Sequence, residues 1–301
     1  MKKILVIGSL NMDFVFKLHH MPARGETVIA GDSEFIPGGK GANQAYAAGK
    51  FRGQVTMLGA VGNDENGREI CRNLSSVGVD VSHIKISEKL STATALVGVD
   101  EQGNNSIIVL SGANSLVDTA YIREKQFLIE ESDIIVLQLE IPLDTVLYAA
   151  KTAKQMGKTV ILDPAPARSD LPGELYGYID ILKPNEGEIR TLLEDELADR
   201  RLRQSCQKLV AMGVGNVVVT LGGNGSYLYQ NDGTQERFPA DQSVKVVDTT
   251  AAGDSFTAAI AAALAQGKSL SEAVRFASKI SDIVVTRKGA QTSIPFPEEI
   301  R

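Results

Sequence analysis

Ile134-Ile135-Val136-Leu137, followed past Glu140 by a helical pattern from Leu143 to Met156 and then by Val160-Ile161-Leu162, decides the fold of this chain. Unbroken short apolar runs mark strands buried on both faces, and a helix-length stretch between two of them is the crossover of a parallel pair. The rhythm extends both ways. Strands are expected at Ile4 to Ile7, Val55 to Leu58, Ile179 to Leu182, Val217 to Thr220 and Val244 to Val247. Helices are expected at Gly41 to Lys50, Gly67 to Val77, Glu186 to Leu193, Arg201 to Met212 and Ser271 to Val285. The fold class is therefore α/β, a doubly wound, mostly parallel sheet with helices on both faces.

Two segments break the alternation. From Met12 to Ile36, the Phe14/Phe16/Leu18 alternation, the turn-rich Met21 to Gly25 and the Thr27-Val28-Ile29 run read as two strands without a helix. Thr92 to Val99 and Ser106 to Leu110, joined by Asp100 to Asn104, read as a hairpin. Four strands outside βαβ units imply a small β-sheet lid, inserted at about 12–36 and 92–110 of one α/β domain over residues 1–301. Open edges carrying Phe14, Phe16 and Leu96 suit pairing of two lids across a two-fold, a homodimer.

Composition narrows the function. A net charge of −6 and a pI near 5.3 exclude a general nucleic-acid or anionic-membrane surface and favour a small-molecule enzyme. Apolar content of 43 % supports a full core, and no apolar run approaches membrane-spanning length. Cys71 and Cys206 fall in helical stretches without metal spacing, which reads as reduced thiols in a cytoplasmic protein. After the first strand stands Gly8-Ser9-Leu10-Asn11-Met12-Asp13, not G-x-G-x-x-G, which demotes dinucleotide chemistry. Walker loops fail because Thr152 and Ala262 stand where the first glycine is needed, and His19, His20 and His83 form neither a triad nor a zinc set.

Chemistry concentrates at Asp248-Thr249-Thr250-Ala251-Ala252-Gly253-Asp254, read as the corner between the Val244 to Val247 strand and an alanine-rich helix that Gly267 stops. The unpaired N–H groups and dipole of a helix start attract a phosphoryl oxygen, and Ala251, Ala252 and Gly253 are small enough to let it touch the backbone. Asp254 adds a carboxylate; taken alone it reads first as a helix cap, a reading the rest of the chain reverses. Asn11, Asp13, Asn43 behind Gly38-Gly39-Lys40-Gly41-Ala42, and Glu140 also follow strands, an array of partners for the hydroxyls of a polyol or sugar.

From residue 4 to about 297 the chain resembles the PfkB or carbohydrate kinase family, in its ribokinase-type branch. The resemblance is carried by Gly38 to Asn43, Asp163-Pro164-Ala165-Pro166-Ala167, Lys183 to Glu188, Thr220 to Gly225, Asp248 to Asp254 and Thr286 to Ser293. It implies ATP-dependent phosphorylation of a pentose at its primary hydroxyl, D-ribose leading, with 2-deoxyribose, another pentose or a nucleoside, or a silent sugar-binding regulator, as alternatives. Asp254 would be the base and Ala251, Ala252 and Gly253 the anion hole. Asn11, Asp13, Gly39, Lys40, Gly41, Asn43 and Glu140 would hold the sugar. Asn185 and Glu188 match the family's N-x-x-E motif for magnesium and phosphates; Thr220, Gly222, Gly223 and Gly225 match its nucleotide loop, and Ser278 its adenine contact. Asp248, Thr250, Val284, Arg287, Gly289 and Ser293 match its potassium ligands. Two departures stand out: Ala251 replaces the first glycine of G-A-G-D, harmless if its φ is negative, and Asp163 stands where asparagine is frequent.

Overall fold

A computed structural model of the chain describes residues 1–102 and 104–300; Gly103, in the expected turn of the second hairpin, and Arg301, at the end of the expected domain, lie outside the described residues. The strands in chain order are β1 (Lys3–Ile7), β2 (Asn11–Lys17), β3 (Ser33–Gly38), β4 (Gln54–Leu58), β5 (Ala60–Gly62), β6 (Lys85–Ser87) and β7 (Ala93–Val99). They continue with β8 (Asn105–Leu110), β9 (Ile134–Leu137), β10 (Thr159–Leu162), β11 (Ile181–Leu182), β12 (Asn216–Thr220), β13 (Ser226–Gln230) and β14 (Gln235–Phe238). The helices are α1 (Lys40–Lys50), α2 (Glu65–Ser76), α3 (Thr119–Glu124), α4 (Gln126–Glu131), α5 (Leu143–Gln155), α6 (Gly173–Tyr176), α7 (Glu186–Leu193), α8 (Leu202–Ala211), α9 (Ala252–Ala265) and α10 (Leu270–Val284).

Eight strands form the main sheet in the order β14-β13-β12-β11-β10-β9-β1-β4, parallel from β4 to β12. Successive side chains along a strand point to opposite faces, so each central strand feeds two cores. Ile4, Val6, Ile134 and Val136 pack with α1, α9 and α10, whereas Leu5, Ile7, Ile135 and Leu137 pack with α5 and α8. That two-sided burial explains the unbroken apolar runs. The order reverses at β1, which lies between β4 and β9; a crevice at such a reversal, outside the carboxyl ends of the strands, is where open α/β sheets bind ligands.

Four strands form the small sheet in the order β3-β2-β7-β8. β2 pairs antiparallel with β3 and parallel with β7, which pairs antiparallel with β8. Thr27-Val28-Ile29 is not its second strand, contrary to the sequence expectation. Ile29 is 91 % exposed, and β3 begins six residues after Thr27, at Ser33. The register is set instead by Phe14 opposite Phe35, whose rings lie 4.7 Å apart, and by Asn11 opposite Gly38 at the entry to α1.

Val244 to Val247 is likewise no strand. It is irregular chain, bent at Val247, with Val246 and Val247 59 % and 58 % exposed, tied to the end of α10 by the N–H groups of Val247 and Asp248 on the Val285 carbonyl. The sheet edge beyond β12 belongs to the antiparallel β13–β14 hairpin, turned at Asp232-Gly233. The expected strand at Ile179 shortens to Ile181–Leu182. Among the described residues no helix is long and apolar enough to cross a membrane.

Candidate active site

Asp254, the third residue of α9, is 7 % exposed. Its Oδ2 accepts from Asn43 Nδ2 at 2.9 Å and its Oδ1 from Gln44 Nε2 at 3.1 Å, both from the first turns of α1. Gln44 Nε2 also donates to Asp163 Oδ2 at 2.9 Å, and Gln44 Oε1 accepts from Gln138 Nε2 at 2.7 Å. Asp163 follows β10 and Lys183 follows β11; Lys183 Nζ lies 2.9 Å from Asp163 Oδ1 as a buried ion pair rather than a well-directed hydrogen bond. Thr257 Oγ1 donates to Asp163 Oδ2, and Lys183 Nζ reaches the Gly253 carbonyl at 3.4 Å. The aspartate that departs from the frequent asparagine is thus the counter-ion of Lys183.

The start of α9 has no side-chain cap. Ser255 N–H closes the first helical bond onto Ala251, and Ala252 N–H turns back to Thr249. Ala251 has φ +58, so the condition under which alanine would be harmless is not met; a β-carbon in this left-handed region costs about 1–2 kcal/mol.

The expected sugar ligands assemble beside Asp254. Asn11 Oδ1 accepts from Asn114 Nδ2 at 2.8 Å, and Glu140 Oε2 accepts from Ser9 Oγ at 2.5 Å and from the Lys40 N–H at 3.0 Å. Gly41 N–H donates to Ser9 Oγ. Gly39 has φ +86, and a β-carbon there would stand 2.8 Å from the Asn11 nitrogen, so this turn requires glycine. Asn43 is held from behind by Gln291 Nε2 at 3.0 Å. Burial, reinforced by the charges of Glu140 and Asp254, pushes the Asp13 carboxyl up to about 7, and its Oδ1 is buried without a hydrogen-bond partner. Burial works against the charge of Lys40, but Asp254, Asp163, Glu140 and Glu188 outweigh it and hold the ammonium above the ordinary lysine range.

A cleft of about 880 Å³ runs from Lys40 and Asp254 across the sheet edge and takes in the whole α9 start from Ala251 to Gly253. All residues expected to hold nucleotide line it. Asn185 caps α7: its Oδ1 accepts from Glu188 N–H at 2.8 Å, and Glu188 Oε2 accepts from Asn185 N–H at 2.7 Å. Burial raises the Glu188 carboxyl, against the pull of Lys183. Thr220 ends β12 and bridges to Asn185; Gly222, Gly223 and Gly225 form the turn behind it. Ser278 Oγ donates to the Val274 carbonyl and lies 3.3 Å from Ser226 Oγ.

The expected cation set is only partly drawn together by hydrogen bonds. Asp248 Oδ1 accepts from Thr250 N–H and Oγ1, and its Oδ2 from Gly289 N–H at 2.9 Å. Arg287 N–H bonds the Val284 carbonyl while its guanidinium pairs with Glu299, and Ser293 Oγ turns to the Ala290 carbonyl. Among the described residues no group of three or more His, Cys, Asp or Glu is arranged to hold a metal. Sequence reasoning missed Gln44 and Gln138; the signal was a glutamine on a fully buried helix face and another between Leu137 and Leu139 at a strand exit.

A buried carboxylate set at an uncapped helix start, with a polar pocket on one side and a long cleft on the other, belongs to the class of small-molecule kinases. The chain is a member of the pfkB family of carbohydrate kinases, whose model matches residues 1–297. It is 37 % identical over 302 residues to the ribokinase of Haemophilus influenzae, covering 99 % of this chain and 97 % of that protein. The ribokinase structure from Thermotoga maritima superposes with a TM-score of 0.91 at 38 % identity, covering 100 % and 98 % of the two chains. That of Arabidopsis thaliana ribokinase, complexed with ribose and ATP, gives 0.93 at 34 % identity, covering 99 % and 97 %.

Proposed function

We infer that this chain is an ATP-dependent ribose kinase, transferring the γ-phosphoryl group to O5 of D-ribose to give D-ribose 5-phosphate. The observation that carries the reading is Asp254, buried between the sugar-side residues and the uncapped start of α9. In this reading Asp254 takes the proton of the attacking hydroxyl, and the N–H groups of Ala251 and Gly253, joined by that of Ala252 when it leaves the Thr249 carbonyl, stabilise charge on the transferring oxygens. Asp13, with an unpartnered buried oxygen, and Asn43 grip ring hydroxyls; Asn11, Gly39, Lys40, Gly41 and Glu140 complete the pocket. Thr220, Gly222, Gly223, Gly225 and Ser278 seat ATP.

Magnesium fits the nucleotide end, where Asn185 and Glu188 would help hold it: the capping box uses one Glu188 oxygen and burial disfavours the charge a cation would neutralise. When bound, it offsets negative charge on the phosphate oxygens. Potassium fits beside the anion hole less through the Asp248 carboxylate, already held by three donors, than through backbone carbonyls near Thr250, Val284, Arg287, Gly289 and Ser293. The small sheet acts as the lid, entered at residues 12–36 and 92–110, excluding water that would compete with the sugar. Its β8, exposed along its whole length and apolar from Ile107 to Leu110, pairs two copies as a homodimer. The free thiols Cys71 and Cys206 suit a cytoplasmic setting.

A coupled ATP assay over a panel of sugars tests this reading. Ribose is expected to exceed 2-deoxyribose about ten- to hundredfold in kcat/KM, because a buried carboxylate left without its hydroxyl is costly. Turnover is expected to rise when potassium replaces lithium or choline. Equal use of 2-deoxyribose transfers the assignment to a deoxyribose kinase, and no turnover of any sugar leaves a silent sugar-binding protein.

A further inference from the structure

We propose that Gln44 is a positioning residue for the base, a role that rests on the kinase reading and operates through Asp254 rather than through either substrate. Gln44 is fully buried, with no surface open to sugar or nucleotide. Its side-chain nitrogen lies 2.9 Å from Asp163 Oδ2 and 3.1 Å from Asp254 Oδ1, so the two amide hydrogens are divided between two carboxylates. The reverse orientation would set an amide oxygen against two anions. Gln138 fixes the choice by donating to Gln44 Oε1. Gln138 is itself confined, since a β-carbon on Gly8 would stand 1.9 Å from its Oε1, and that oxygen is buried without a partner. A glutamine retained there at the cost of an unsatisfied oxygen points to the amide it supports.

Each Asp254 oxygen receives one side-chain donor, Asn43 on Oδ2 and Gln44 on Oδ1. Asn43 also belongs to the sugar pocket, so Gln44 is the donor whose work is confined to the base. Through Asp163 it joins the base to Lys183, which touches the Gly253 carbonyl inside the anion-hole segment. Base and anion hole are thereby registered to one buried ion pair. Asp13 from β2, Lys40 at the head of α1, Glu140 beyond β9, Asp163 beyond β10, and Lys183 and Glu188 beyond β11 make up the charged surroundings of this assembly.

The experiment compares wild type with Gln44→Met, which keeps the volume and removes both donors, and with Gln138→Met, which frees only the Oε1 end. Gln44→Met is expected to lower kcat about ten- to hundredfold with KM for sugar and ATP within about threefold, since misplacing a catalytic group by an ångström costs up to about a hundredfold. The acidic limb of its kcat profile is expected to move to higher pH, because a carboxylate that loses a donor holds its proton more tightly. Gln138→Met is expected to give a smaller loss in the same direction with an unchanged melting temperature, and it decides the matter if Gln44→Met does not fold. An active wild type with wild-type kcat and pH profile in the folded variants overturns the proposal alone, as does a kcat loss matched by an equal rise in sugar KM. A wild type inert toward every sugar overturns the kinase reading and the proposal with it.

Discussion

The floor beneath Asp254 and the four-stranded sheet are built on opposite terms. In the floor, Gln44, Gln138, Asp163 and Lys183 are buried polar groups whose positions are fixed by one another. In the small sheet, β8 is exposed at every residue and the outer half of β2 is only partly covered. Local opening is cheap where few apolar contacts must be broken and expensive where charges would be left unpaired. Under the proposed function, this contrast would keep the geometry around the base fixed at the sheet edge and leave the freedom to open and close to the small sheet.

Replacing one member of the floor's ion pair is the severest way to break that contrast. Lys183→Met leaves Asp163 charged and buried, and is expected to lower unfolding free energy by about 3–5 kcal/mol in denaturant titration. The exposed Lys151–Glu174 pair, cut by Lys151→Met, serves as the control and should cost under about 1 kcal/mol. Equal costs at the two sites would erase the distinction.

Asp13 lies on the seam between the two regions and sharpens it through pH. In the folded chain its carboxyl keeps a proton up to about 7, against an ordinary value of 3.8. The stability contributed by this raised group is fully present below 3.8 and is lost as pH rises towards 7. Sugar-free Asp13→Asn should therefore gain on wild type in melting temperature as pH climbs through that window, with the gap level above it. A gap that stays constant from about pH 4, the ordinary carboxylate value, upward, or that narrows, contradicts the raised Asp13 carboxyl.

The smallest effect sits at the edge of the floor. Ala251→Gly removes the β-carbon from φ +58 and is expected to stabilise the protein by up to about 1 kcal/mol, read from the denaturation midpoint. A loss of stability would show that Ala251 is relaxed where it stands.

What could be read from the sequence follows the same division. The parallel strands were legible because burial on both faces leaves nothing but apolar residues between Ile134 and Leu137, and the pocket residues because glycine, asparagine and aspartate cluster where those strands end. Val244 to Val247 misled because a β-branched run looks the same whether it pairs in a sheet or lies exposed beside α10. Thr27 to Ile29 misled likewise, since the register of β3 depends on Phe35 and on a distant entry into α1. Gln44 and Gln138 stayed silent, and Lys183 was legible only as part of its motif, because their meaning lies in partners separated by up to 210 positions in the chain.

Whether Asp254 is the base is decided by the kcat of Asp254→Asn with ribose and ATP, alongside its sugar KM. The amide keeps the shape and loses the base, so kcat is expected to fall by about a thousandfold or more while KM changes little. A folded Asp254→Asn protein that retains a tenth of wild-type kcat would contradict the assignment of Asp254 as the base.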